Sequence, residues 1–159
     1  MIGMKVRTVA MDQQMNPVVL LVDKAETLAL PIWIGTAEAQ SIALELQGVR
    51  MPRPMTHDLM RAMLAQLTVT VDRIVVTDIQ NGTYFAEIHL KKNGADVVID
   101  SRPSDAIALA LRTRAPIFVE DAVIDNAKTF DPAPDKADEE RLHKWLESLD
   151  PEELGKYKM

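Results

Sequence analysis

One order of elements recurs along this chain and limits its fold more than any single motif: three strand-like runs and then a helix, twice. Lys5 to Met11, Val18 to Val22 and Leu28 to Ile34 are the first three runs, separated by polar turns at Asp12 to Pro17 and Asp23 to Glu26. Gly35-Thr36 ends them, and Ala39, Ile42, Ala43 and Leu46 then recur at helical spacing up to a stop at Gly48. The second triplet spans roughly Val69 to Ile79, Thr83 to Lys91 and Ala95 to Asp100. Asn81-Gly82 and Asn93-Gly94 join its members; both residue types tolerate positive φ, which predicts tight hairpins and an antiparallel meander. Arg102-Pro103-Ser104-Asp105 opens the second helix, with Pro at the first helical position, and Ile117-Phe118-Val119 follows as a short strand. Glu38-Ala39 with Ile42-Ala43 matches Asp105-Ala106 with Leu109-Ala110 at the same spacing, the mark of an internal duplication. The predicted class is α+β: a duplicated strand-strand-strand-helix unit forming largely antiparallel or mixed sheets packed with helices.

A further helix lies between the repeats. Thr56 is suited to cap it, Asp58 places negative charge in its first turn, and Met55 and Met60 sit at staple positions. Leu59, Met60, Met63, Leu64 and Leu67 predict a buried stripe along it. Val18 to Val22, apolar at every position, predicts a strand covered on both faces.

Charge divides the chain. The 159 residues carry a net charge of −6 and no cysteine, which excludes a disulfide scaffold, a thiolate zinc site and a cysteine nucleophile. Residues 1 to 119 hold 12 basic and 12 acidic side chains, so the whole surplus lies in residues 120 to 159, with 6 basic and 12 acidic. Asp131-Pro132-Ala133-Pro134-Asp135 is a stiff, helix-breaking stretch at that boundary. A single domain is therefore expected over residues 1–130, with an acidic linker and an amphipathic helix over 131–159. Leu142, Trp145, Leu146 and Leu149 form that helix's narrow apolar stripe, which Asp150-Pro151 stops; it is expected to dock on the domain or on a partner chain. Charges interrupt every apolar stretch before it reaches membrane-spanning length, and a cytoplasmic chain without a membrane partner is expected.

The sequence has no Gly-rich phosphate loop, nucleophile elbow or His-Glu-x-x-His, and its three histidines lie far apart. Polar residues instead concentrate at helix starts. Arg53, Thr56, His57 and Asp58 open one helix, Asp100, Arg102, Ser104 and Asp105 another, and Glu38 a third. Phosphate chemistry uses these types. Asp58, Asp100, Asp105 and Glu38 offer hard oxygen ligands suited to a divalent metal such as Mg²⁺. Arg53 and Arg102, with Thr56 and Ser104, suit phosphate binding, and His57 suits the role of general acid or base. Capping alone also selects Thr, Ser, Asp and Pro at helix starts, so a set of caps and ion pairs is the competing reading. Glu87, His89 and Lys91 alternate on a strand as a solvated face does.

Three blocks resemble the bifunctional nuclease domain family: Leu30-Pro31-Ile32-Trp33-Ile34-Gly35 with Glu38-Ala39; Pro52-Arg53-Pro54-Met55-Thr56-His57-Asp58-Leu59; and Asp100-Ser101-Arg102-Pro103-Ser104-Asp105-Ala106-Ile107-Ala108-Leu109-Ala110, followed by Ala115-Pro116-Ile117-Phe118-Val119. The likeness runs in order from about residue 4 to residue 125. It implies a nuclease hydrolysing phosphodiester bonds of DNA and RNA, with nucleic acid as partner, in a homo-oligomer. The resemblance itself assigns no roles; on the chemistry of the residues at these positions, His57, Asp58 and Asp105 are the expected catalytic residues. Arg53, Arg102, Ser104 and Thr56 are the expected phosphate ligands. Asp58, Asp100, Asp105 and Glu38 are the expected metal ligands. The alternative is a non-catalytic regulatory or ligand-binding oligomeric module. The tail does not resemble the UvrB/UvrC-type helical motif that follows the domain in some relatives.

Overall fold

The computed structural model describes residues 1–127, 129 and 144–147. Its elements run β1 (Ile2–Met11), β2 (Pro17–Asp23), β3 (Ala29–Trp33), α1 (Thr36–Leu46), α2 (Thr56–Gln66), β4 (Thr70–Gln80), β5 (Thr83–Lys92), β6 (Ala95–Ser101), α3 (Pro103–Thr113), β7 (Ile117–Val119) and α4 (Asp121–Asn126). Both Asn-Gly pairs form the expected turns, with φ of 51° and 77° at Asn81-Gly82 and 50° and 78° at Asn93-Gly94. The strands between them pair antiparallel, β4 with β5 and β5 with β6.

All seven strands form one mixed sheet in the order β3-β2-β1-β7-β4-β5-β6. β7 is the seam. It runs antiparallel to β1 and parallel to β4, so the two meanders flank it in opposite directions. α1 and α3 are both 11 residues long, and Glu38 and Asp105 each occupy the third helical position.

α1 and α3 cover one face of the sheet. Ile107 and Leu109 of α3 pack there with Ile42 of α1 and with Leu21, Ile32, Ile74 and Val76 of the strands. Removing a side chain such as Leu109 from this layer would cost about 2–5 kcal/mol. β2 is buried on both faces, as its apolar run predicts. Its second face, with Val18, Leu20 and Val22, packs with Ala29, Trp33 and Leu146, and Trp145 lies beside them. Residues 144–147 are helical and dock on the domain through that contact. Leu142, Leu149, Asp131 to Asp135 and Asp150-Pro151 lie outside the described residues. No helix among the described residues is long and apolar enough to cross a membrane.

α2 departs from its expected packing. Only Met60 and Leu64 of the predicted stripe reach the core, whereas Leu59, Met63 and Leu67 are 52%, 56% and 62% exposed. The physical reason is position: α2 packs on the helical layer through α3 instead of on the sheet, so one narrow face suffices to attach it. Its buried anchor is a histidine, His57. It starts at Thr56, but the cap position falls to Met55 instead of Thr56, and Asp58 Oδ2 accepts the Met55 N–H at 3.0 Å.

Candidate functional site

The duplicated helices meet at one guanidinium. Arg102, immediately before Pro103, forks between the two equivalent carboxylates: Nη2 donates to Glu38 Oε1 at 2.8 Å and to Asp105 Oδ2 at 2.7 Å, and Nε donates to Asp105 Oδ2 at 3.0 Å. Each carboxylate lies in a first helical turn, where negative charge suits the dipole. The hydrogen bond to Asp105 holds the Arg102 pKa above its ordinary value; desolvation opposes this and the bond to Glu38 adds to it.

From Asp105 the chain of bonds continues inward. Its other oxygen, Oδ1, lies 2.8 Å from His57 Nε2, and His57 Nδ1 lies 2.6 Å from Ser41 Oγ. A neutral ring protonated on Nε2 satisfies both contacts, donating to Asp105 and accepting the Ser41 hydroxyl. His57 is 5% exposed, so α1, α2 and α3 are tied at one buried imidazole. Arg112 makes a second tie. Its side chain is 3% exposed, and Nε donates to Asp58 Oδ1 at 2.7 Å. Nη1 and Nη2 donate to the carbonyls of Ala108 and Ser41 at 3.0 and 3.1 Å. Burial pushes the Asp58 carboxyl up, but the bonds from Arg112 and the Met55 N–H outweigh it and leave the pKa below its usual value.

Beside this saturated junction lies an open groove. One cavity of about 420 Å³ sits between the α1–α2 connection, α2 and Arg112, and a second of about 450 Å³ continues toward the start of β4 and the end of α3. They share Glu45, Arg50, Arg61, Ala65 and Arg112. Arg53 lines the first and Arg114 the second, so five arginines face two carboxylates, Glu45 and Asp58. Arg50, Arg53, Arg61 and Arg114 are exposed and make no ion pair or side-chain hydrogen bond within the described residues. Unpaired guanidiniums around a concave surface suit phosphate groups, which they bind in bidentate fashion.

The sequence-predicted residues thus fall into three places. Glu38, Arg102, Asp105 and His57 are linked in one chain, Asp58 joins it through Arg112, and Arg53 lines the groove with Asp58. Thr56 is exposed at the start of α2. Ser104 is fully buried with its hydroxyl unpartnered, and Asp100 is exposed on the edge strand β6, paired in register with Glu87. Among the described residues, no group of three or more His, Cys, Asp or Glu side chains is placed to hold a metal ion. Glu38, Asp105 and Asp58 instead spend oxygens on arginines. Sequence reasoning missed Ser41, Arg112 and the groove arginines Arg50, Arg61 and Arg114. The one available signal was Arg112, a charged side chain directly after the apolar run Ala106 to Leu111.

The model of a family described as the bifunctional nuclease domain matches residues 19–132. A Mycobacterium tuberculosis protein, named only as uncharacterized, is 39% identical over 152 residues, covering 89% of this chain and 90% of that protein. Bifunctional nuclease 1 of Oryza sativa subsp. indica is 26% identical over 127 residues, covering 77% of this chain and 38% of the rice protein. Bifunctional nuclease 2 of Arabidopsis thaliana is 32% identical over 107 residues, covering 65% of this chain and 32% of its own length.

Proposed function

This chain belongs to the bifunctional nuclease domain family, and we propose on that premise that it hydrolyses phosphodiester bonds of DNA and RNA. The observation that carries the reading is the groove, where Arg50, Arg53, Arg61 and Arg114 are held without partners among the described residues. Residues 1–119 are electrically balanced, so affinity for a polyanion has to come from a local concentration of cations, and the groove supplies one. Arg53 and its neighbours take the backbone phosphates. Asp105 orients His57, which moves the proton, and Asp58 holds Arg112 at the groove wall. Metal dependence is a matter for assay, because the carboxylates nearest the groove already serve arginines.

The chain acts in the cytoplasm as a homo-oligomer in this reading. Support for the oligomer comes from seven exposed large apolar side chains between Leu46 and Leu67, among them Met51, Met55, Leu59 and Met63. Exposed apolar side chains concentrated in one stretch of chain favour association. The competing reading, a non-catalytic ligand-binding module, draws on the saturation of both His57 ring nitrogens.

The experiment uses purified protein with labelled single-stranded DNA and RNA, in Mg²⁺ or EDTA, beside His57→Ala, Asp105→Asn and Arg50→Ala/Arg61→Ala variants that remain folded. Cleavage by the unaltered chain and its loss in the variants supports hydrolysis. Tight binding without cleavage supports the module instead, and equal residual cleavage in every sample sinks the nuclease reading.

A further inference from the structure

We propose that Ser41 is a nucleophile that attacks phosphorus, activated by His57 and oriented through Asp105. This rests on the hydrolytic reading above and supplies it with a reacting atom. Three observations carry it. First, a hydroxyl, an imidazole and a carboxylate stand in series at 2.6 and 2.8 Å, the nucleophile, base and orienter arrangement that activates serine on unrelated folds. Second, every member is held: Arg102 fixes the far oxygen of Asp105, and burial shields the imidazole from competing water. A serine inside a helix commonly bonds back to a carbonyl of the preceding turn, whereas the recorded partner of Ser41 Oγ is His57. Third, Ser41 lies one helical turn from the groove. Ser41 is partly exposed, and Leu44 and Glu45, one turn further along α1, line the first cavity. The Ser41 carbonyl is bonded to Arg112, which lines both cavities.

The chemistry balances without a further reagent. Ser41 Oγ forms a bond to phosphorus as the bond from phosphorus to the leaving sugar oxygen breaks. The hydroxyl proton passes to His57 Nδ1, and the resulting imidazolium gives it to the leaving oxygen. Water then attacks the phosphoserine, its proton goes to His57, the Oγ–phosphorus bond breaks and the proton returns to Oγ. Arg50 and Arg61, shared by the two cavities, neutralise the phosphate on either side of the scissile bond.

The test does not depend on nuclease activity. The full chain is treated with diisopropyl fluorophosphate, a phosphorus electrophile that labels activated serines, and followed by intact mass and peptide mapping. The expected result is one adduct at Ser41. It should be absent in Ser41→Ala and in the near-isosteric Ser41→Cys, and at least about a hundredfold slower in His57→Gln. No adduct at Ser41, or an adduct forming equally fast in His57→Gln, overturns the proposal. Nucleic-acid cleavage by the same preparation without the adduct leaves the nuclease reading standing and overturns the nucleophile. The adduct without cleavage upholds the nucleophile and sinks the nuclease.

Discussion

Two populations of arginine gather around the helical layer, and they do opposite work. Arg102 and Arg112 are consumed: each bridges helices and has its donors taken by carboxylates or carbonyls. Arg50, Arg53, Arg61 and Arg114 reach into the groove with none within the described residues. A buried cation must be fully paired to be tolerated, whereas an exposed one costs little to leave open. The first group should therefore govern stability and the second affinity.

The sharpest way to break this division is Arg112→Met. It strips Asp58 and the Ser41 and Ala108 carbonyls of their donor, and about 3 kcal/mol of unfolding free energy should be lost in urea denaturation. An unchanged midpoint would mean that Arg112 belongs with the open group. Arg50→Ala/Arg61→Ala should behave in the opposite way, with stability moving by less than about 0.5 kcal/mol. Its affinity for single-stranded DNA should drop about tenfold, with the salt slope flattened by roughly 0.7 per lost contact, as read by anisotropy across a salt series. Arg102→Ala lies between them. Its side chain is 47% exposed, so the loss should be about 1 kcal/mol despite three charge-assisted bonds.

The smallest effect is one of pH. Because the folded Asp58 carboxyl titrates below its unfolded value of 3.8, its contribution is complete above that value and fades as pH falls through the lower, folded one. Denaturation midpoints between pH 3 and 5 should show a shallower acid decline in Asp58→Asn than in the unaltered chain.

How much of this was legible in sequence follows the range of the forces involved. Asn81-Gly82 and Asn93-Gly94 encode their turns in two residues, and Val18 to Val22 announces burial by composition alone. The α2 stripe was legible as amphipathic, but Leu59, Met63 and Leu67 carry no sign of whether anything lies over them. Glu38 and Asp105 stood out as repeat equivalents, yet their convergence on Arg102 depends on how α1 and α3 pack. The pairings of Ser41 and Arg112 were invisible for the same reason, since their partners His57 and Asp58 belong to a different helix. The groove was illegible because its arginines come from a loop, α2 and the end of α3, and no single window of sequence holds them.

The three-residue seam β7 has a consequence for how the protein is made. Ile2 pairs with Val119, so β1, made before every other strand of this sheet, waits for the last of them. Until then β1 has only β2 beside it, and its other edge lies open. During synthesis the N-terminal meander therefore forms early as a half-finished sheet. Its exposed edge is closed only when residues 117–119 arrive, and those same three residues then zip β4 to it in parallel register. Truncation just before Ile117 would be expected to yield two meanders without a common sheet, and a nascent chain prone to pairing with its neighbours.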